Sequence, residues 1–311
     1  MNLNLSPIIS MLFFPGGLFL MLSGLLYEWA DRKLVARYQN RVGPRWFQPL
    51  ADVVKLLAKE EIVPRGVNAS LFTWLPLAGL AAALTAALYV PLFGFAPAQS
   101  FRGDLVVVLY LLSVPTLTLG LAGANTLDRF ALVGATRMLT QLFSYEAPFL
   151  LALLGPAIAA GTWQIGDINL YAQGRWWMLF TQPVGFIVAL VGLMGKLELP
   201  PFDAPEAETE IVSGALTEYS GRGLALFRLA HSVEMIAGLT LISAFYLGGL
   251  SSPIDFLLKT GAILLVMTMV QSLFARLRID QTVGIWWRVG ALLALFQFLV
   301  LVLVTAVKGT L

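Results

Sequence analysis

Eight apolar runs, near 8–28, 70–94, 104–123, 143–161, 179–197, 226–249, 255–274 and 285–307, divide the chain, each bounded by charge, Gly or Pro. About 20 apolar residues in a helix cross the hydrocarbon core of a bilayer. In lipid every backbone N–H and C=O must be satisfied within the protein, which makes helix the natural conformation for such runs. The expected fold is therefore all-α, a polytopic membrane helix bundle with about eight transmembrane helices, and the whole of 1–311 reads as a single integral membrane domain. With 58% hydrophobic and only 12% charged residues, the chain leaves no stretch for a sizeable soluble domain. The start, Met1 to Tyr27, lacks the positive leader and small-residue cleavage site of a signal peptide and reads as the first span.

The connections carry the remaining information. Residues 31–65 are charged but include Val53, Leu56 and Leu57 among Asp52, Lys55 and Lys59, the pattern of an amphipathic helix lying at the interface. A second polar insertion runs from Lys196 to Arg222, and 124–142 reads as a third, half-apolar connection. Sixteen Lys and Arg lie on the connections after odd-numbered spans and four elsewhere. The positive-inside rule then puts the three long connections and the amphipathic helix on the cytoplasmic side, with both termini outside the cell (inner) membrane. No internal repeat is visible, which weighs against an independent secondary transporter built from inverted repeats.

There is no cysteine and one histidine, His231, so thiolate-held iron–sulfur clusters and bis-histidine haem are excluded on this chain. Any redox centre belongs to a partner. No dense basic stripe supports nucleic-acid binding, and phosphate-binding loops, metal-ligand spacings and nucleophile elbows are missing.

Chemistry concentrates in carboxylates. The segment 196–220 holds Glu198, Asp203, Glu206, Glu208, Glu210 and Glu218 against one lysine, Lys196. Crowded, partly desolvated carboxylates raise one another's pKa values and hold protons near neutral pH, which suits a proton relay. The alternative is a solvated acidic loop that docks on a basic partner. Pro200, Pro201 and Pro205 favour a fixed, non-helical entry, after which Glu206 and Glu210 at i and i+4 would share a helix face. Glu146 stands among apolar residues within a span, where a carboxylate is a functional candidate unless it serves packing. Arg137 is its candidate counter-ion. His231 and Glu234, at i and i+3, are placed to exchange a proton or to form a structural pair. In the basic loop, Gly43-Pro44 breaks the chain beside Trp46 and Phe47, residues suited to membrane anchoring or to partner or quinone contact.

Four segments together carry a resemblance: DRKLVARYQNRVGP at 31–44, QPLADVVKLLAKE at 48–60, SYEAP at 144–148 and PFDAPEAETEIVSGALTEYSG at 201–221. They resemble the family of the first, or H, membrane subunit of respiratory NADH dehydrogenase, which includes its counterpart in membrane-bound nickel–iron hydrogenases. The resemblance covers nearly the whole chain. It implies a non-redox component of an ion-translocating oxidoreductase that links a peripheral electron-transfer arm to proton or sodium translocation. It implies that Glu146, Asp203, Glu206, Glu208, Glu210 and Glu218 belong to the proton path, and that Arg32, Arg41 and Gln48, with Trp46 nearby, face a quinone or partner chamber. The implied partners are a hydrogenase-like large subunit, iron–sulfur subunits, and antiporter-like and small membrane subunits within the lipid bilayer. Cofactors are implied on partners only, as iron–sulfur clusters with either nickel–iron or flavin, and quinone is a further candidate ligand.

Two departures favour the hydrogenase branch over a quinone-binding subunit of an NADH- or ferredoxin-quinone oxidoreductase. Only Arg45, Trp46 and Phe47 separate Pro44 from Gln48, where quinone-reducing members carry a glycine-rich insertion. Lys196 stands where those members have an acid, making an altered charge pair with Glu198. Beyond these two, His231 also stands where those members have an acid, with Glu234 one turn later.

Overall fold

The structure, a computed structural model, describes residue 13 and residues 16–309, apart from the side chains of 208, 209, 308 and 309. The described residues fold into helices with no strand. We number the principal helices α1 (Gly17–Tyr38), α2 (Gln48–Ala58), α3 (Ala69–Leu88), α4 (Asp104–Asn125), α5 (Arg129–Ala160), α6 (Ile165–Ala172) and α7 (Pro183–Lys196). They continue as α8 (Gly221–Tyr246), α9 (Pro253–Leu273), α10 (Ile279–Ile285) and α11 (Ala291–Gly309), the last two joined by a π-helical turn, Trp286–Gly290.

Among the described residues six helical segments are long and apolar enough to cross a membrane: Ala69–Gly94, Asp104–Asn125, Arg129–Ala160, Gly221–Tyr246, Pro253–Leu273 and Ile279–Val307. Helix α7 is apolar but has only 14 residues, about 21 Å at the helical rise. Gln182, at φ −132°, breaks it from the short turn of helix before it. The expected span at 8–28 begins outside the described residues, and its later part is α1.

One expectation is corrected. Residues 124–142 are not a connection, because 129–142 form the first half of the 32-residue helix α5. At about 48 Å this helix exceeds the hydrocarbon core, so its first turns can carry polar residues outside the apolar layer. Asp128 caps its start by accepting from the Ala131 N–H at 2.8 Å, and Gly161, at φ +68°, ends it.

The bundle is organised around α8. In its most apolar stretch 83% of residues are buried, against 11% in Ile279–Val307, which runs along the outside. Polar and ionisable side chains within a span are costly against lipid and turn to the bundle interior, and α8, which carries Arg228, His231, Ser232 and Glu234, packs against α1, α2, α3 and α9. The amphipathic helix is present as α2, which buries Pro49 and Val53 and exposes Leu50, Val54 and Leu57. Helices α1 and α8 touch at Gly24, where a Cβ would lie 2.6 Å from the Ser232 carbonyl oxygen. Small residues permit this approach in membrane bundles. Gly24→Val should cost about 1–3 kcal/mol through overpacking, and a melting temperature unchanged from wild type in the purified assembly would contradict it.

Candidate functional site

The connection after α7 does not hang in solvent. It turns back under the bundle and is held at several points, beginning with the three prolines, which remove backbone donors and restrict the path. Gln141 of α5 donates through Nε2 to the carbonyls of Gly195 (2.9 Å) and Phe202 (2.7 Å), bonding to both sides of the turn. Arg276, beyond α9, forks onto Asp203 with bonds of 2.9 and 2.7 Å, and Leu277 N–H donates to the Pro201 carbonyl at 2.9 Å. Such bidentate pairs fix orientation as well as charge. Arg137 reaches Glu210 at 2.7 Å. Tyr219 stacks on Phe72 of α3 with centroids 4.1 Å apart and rings within 4° of parallel.

Beneath this strap lies a cavity of about 630 Å³. Glu28, Asp31 and Arg32 enter its wall from α1, Glu198, Asp203 and Glu206 from the strap, Arg228 and His231 from α8, and Arg276 from the segment after α9. Leu119, Leu224, Phe227 and Met235 supply apolar wall. Glu28 pairs with Arg32 one turn on and accepts a bond of 2.7 Å from Ser232 Oγ. Asp31, buried, accepts from Gln271 at 2.9 Å.

Deeper in the bundle the last residue of α7 meets two acids. Lys196 Nζ lies 3.6 Å from Glu146 Oε2 of α5 and 3.8 Å from Glu234 Oε1 of α8. The Lys196 side chain is 1% exposed and that of Glu234 3%. Ser113 of α4 donates to the other Glu146 oxygen, and the rings of Tyr145 and Phe149 lie 5.6 and 5.9 Å from the ammonium. A buried charge left alone is very costly, so these three groups are compatible with the interior only together.

Glu198 stands between the two places. It follows Lys196 by two residues, adopts φ +51°, and is half-buried at the cavity wall. Burial pushes its carboxyl well above the ordinary 4.5, and the charges of Glu206 and Glu234 push it further the same way. Its carboxylate therefore senses one acid in the cavity and one in the buried cluster. Glu210 behaves oppositely, its carboxyl held below the ordinary range by the hydrogen bond and charge of Arg137.

Several pairings differ from the sequence-based expectation. Arg137 is not the counter-ion of Glu146, because it sits at the strap on Glu210 while Lys196 takes the position beside Glu146. Lys196 ion-pairs with Glu146 and Glu234 rather than with Glu198, which turns toward the cavity. His231 and Glu234, about 60° apart round the helix, divide: the charges nearest His231 are Glu28 and Arg32, and Glu234 faces Lys196. Glu206 and Glu210 share no helix face, since only Glu208–Ile211 is helical, with Glu206 at the cavity and Glu210 on Arg137. The Glu208 side chain lies outside the described residues. Glu218 is half-buried and makes no ion pair with a described residue. Of the loop residues only Arg32 lines the cavity. Arg41 bonds Gln39 at 3.5 Å, Trp46 is 64% exposed against Phe47, and Gln48 bonds Asp52 at 3.0 Å, all on the surface.

The arrangement defines a class: a polytopic membrane protein in which a charged cavity under a pinned strap adjoins a buried carboxylate–lysine cluster. A family model described as NADH dehydrogenase matches residues 10–302, and the chain belongs to that family. Among its relatives, the H subunit of NADH-quinone oxidoreductase from Carboxydothermus hydrogenoformans is 35% identical, covering 87% of this chain and 81% of the relative. The H subunit from a Geobacillus species is 34% identical, covering 94% of each. A solved structure, the membrane-bound sulfane sulfur reductase described as an archaeal respiratory membrane complex, aligns with TM-score 0.84 and 25% identity. That alignment covers 96% of this chain and 98% of the matched one. The protein is thus a membrane subunit of this respiratory oxidoreductase family.

Glu198 yields a pH prediction. Its folded-state value lies above the unfolded one, so the native protein holds this proton longer as pH rises. Stability is then lost from about pH 4.5 upward through the raised value. Glu198→Gln removes the loss, so the variant should melt above wild type at about pH 8 and with a flatter pH profile. Parallel melting curves of the two complexes across that range would refute the assignment.

Proposed function

We propose that this chain is the non-redox membrane subunit that couples a peripheral electron-transfer arm to proton or sodium translocation in a hydrogenase-type complex. The observation that supports it best is the succession of ionisable groups from the cavity wall inward: Glu206 and Glu198, then Glu234, Lys196 and Glu146, ending on Ser113. Intramembrane carboxylates are costly and mark ion paths more often than they serve packing.

The partner's iron–sulfur clusters, with nickel–iron or flavin, supply the electron chemistry. This chain's residues respond to charge. Negative charge arriving beside the cavity raises the proton affinity of Glu198 and Glu206, and the proton taken up there passes toward Glu234. Arg276 and Arg137 hold the strap so that this distance is kept. The short turn from Pro44 to Gln48 favours the hydrogenase-type branch. With the long connections cytoplasmic, the cavity opens toward a peripheral arm on that side, and antiporter-like and small membrane subunits pack on the bundle's flanks.

A second reading, a quinone-binding subunit, is favoured by the names of the relatives and by the cavity itself. Its volume and partly apolar wall fit a small ring-shaped ligand. Purifying the intact complex through a tag on this chain and quantifying metals and flavin decides between the two. Nickel without flavin supports the first reading, and flavin without nickel, with quinone reductase activity, supports the second.

Glu146→Gln should cut ion translocation per electron about tenfold or more while assembly stays intact. Normal translocation per electron in the assembled variant would reduce Glu146 to a packing role.

A further inference from the structure

The proposed path contains one basic member. Lys196 is placed between the two deepest carboxylates at almost equal distances, 3.6 Å to Glu146 Oε2 and 3.8 Å to Glu234 Oε1, and these come from different helices, α5 and α8. None of the three facing atoms makes a hydrogen bond of ordinary length, although all are buried. The other groups around the ammonium are aromatic: the Tyr145 and Phe149 rings, with Tyr145 itself in the field of Glu146, Glu234 and Glu198. An ammonium there for structure alone would be expected to settle in contact with one carboxylate at about 2.8 Å. This one is held within a small movement of both.

We propose that Lys196 is itself a proton carrier, passing protons between Glu234 and Glu146 through its Nζ atom. The inference rests on the proton-path reading above and goes beyond it by assigning the transfer atom. The step balances without any oxidant. An N–H bond on Nζ breaks as an O–H bond forms on Glu146 Oε2, then the O–H bond on Glu234 breaks as the N–H bond on Nζ is restored. No electrons are exchanged, and the lysine ends as it began. The charge count agrees: an ammonium, one carboxylate and one carboxylic acid are neutral together, whereas both acids ionised or both protonated leave net charge in a dry interior. Lysine suits the task because its charge yields readily when buried, while an arginine in a protein keeps its proton.

That contrast supplies the test. The Lys196→Arg complex would be assayed in inverted membrane vesicles, with lumen acidification by a fluorescent amine recorded against electron-transfer turnover, beside wild type and Glu146→Gln. Transfer through Nζ predicts that Lys196→Arg translocates about tenfold less or worse per electron transferred. Translocation at the wild-type ratio in Lys196→Arg would overturn the proposal, since charge alone would then suffice. If Glu146→Gln also translocates normally, the path itself is refuted; if Glu146→Gln fails and Lys196→Arg does not, only the role of Lys196 is. Should arginine prevent assembly, Lys196→His and Lys196→Gln decide. Histidine can carry a proton and glutamine cannot, so translocation retained in the first and lost in the second supports transfer. Equal behaviour of the two overturns it.

Discussion

A span that carries Arg228, His231 and Glu234 has to be enclosed by protein rather than lipid, and enclosing α8 takes Glu234 out of contact with water. That constraint orders the rest of the bundle. A carboxylate 3% exposed needs a cation close by, and α7 supplies it by ending on Lys196 rather than continuing. The shortness of α7 then has a purpose: 14 residues place its last side chain at the depth of Glu234 instead of at the surface. Glu146 joins from α5, and Ser113 of α4 completes the set, so four helices are tied at one depth by charge rather than by apolar packing.

The strap from Leu197 to Ser220 follows from the same choice. Because α7 stops early, its onward chain must leave from inside the bundle, where unpaired backbone groups would be expensive. Gln141 meets two of these carbonyls, and Leu277 N–H meets that of Pro201. The two arginine pairs fasten the outer part of the strap to α5 and to the segment after α9. The cavity is the space left between this strap and the facing stretches of α1 and α8, so its charged lining comes from the middle of α1, the first half of α8 and the loop segments.

How much of this was legible in the sequence depended on whether the signal was local. Apolar runs of about 20 residues, the amphipathic pattern around Val53 and the crowd of acids near Asp203 are all properties of neighbouring residues, and each reads directly. Pairings were not legible. Lys196 and Glu234 are far apart in the chain, and nothing at either position names its partner, so nearest charges such as Glu198 or Arg137 were the natural first assignments. The polar half of α5 was hidden for a related reason: Arg137, Thr140 and Gln141 read as a loop until the strap that receives Arg137 and Gln141 is in place. Glu28, Asp31, Arg228 and Arg276 enter the cavity wall through tertiary packing alone. Glu28 did leave a trace, standing one turn before Arg32.

Between the cavity and the buried cluster the chain interposes a single residue, Leu197, 1% exposed, with Lys196 on one side of it and Glu198 on the other. A displacement of Glu198 is therefore transmitted to Lys196 through two peptide units, and Gln141, bonded to the carbonyls of Gly195 and Phe202, limits how far either can move.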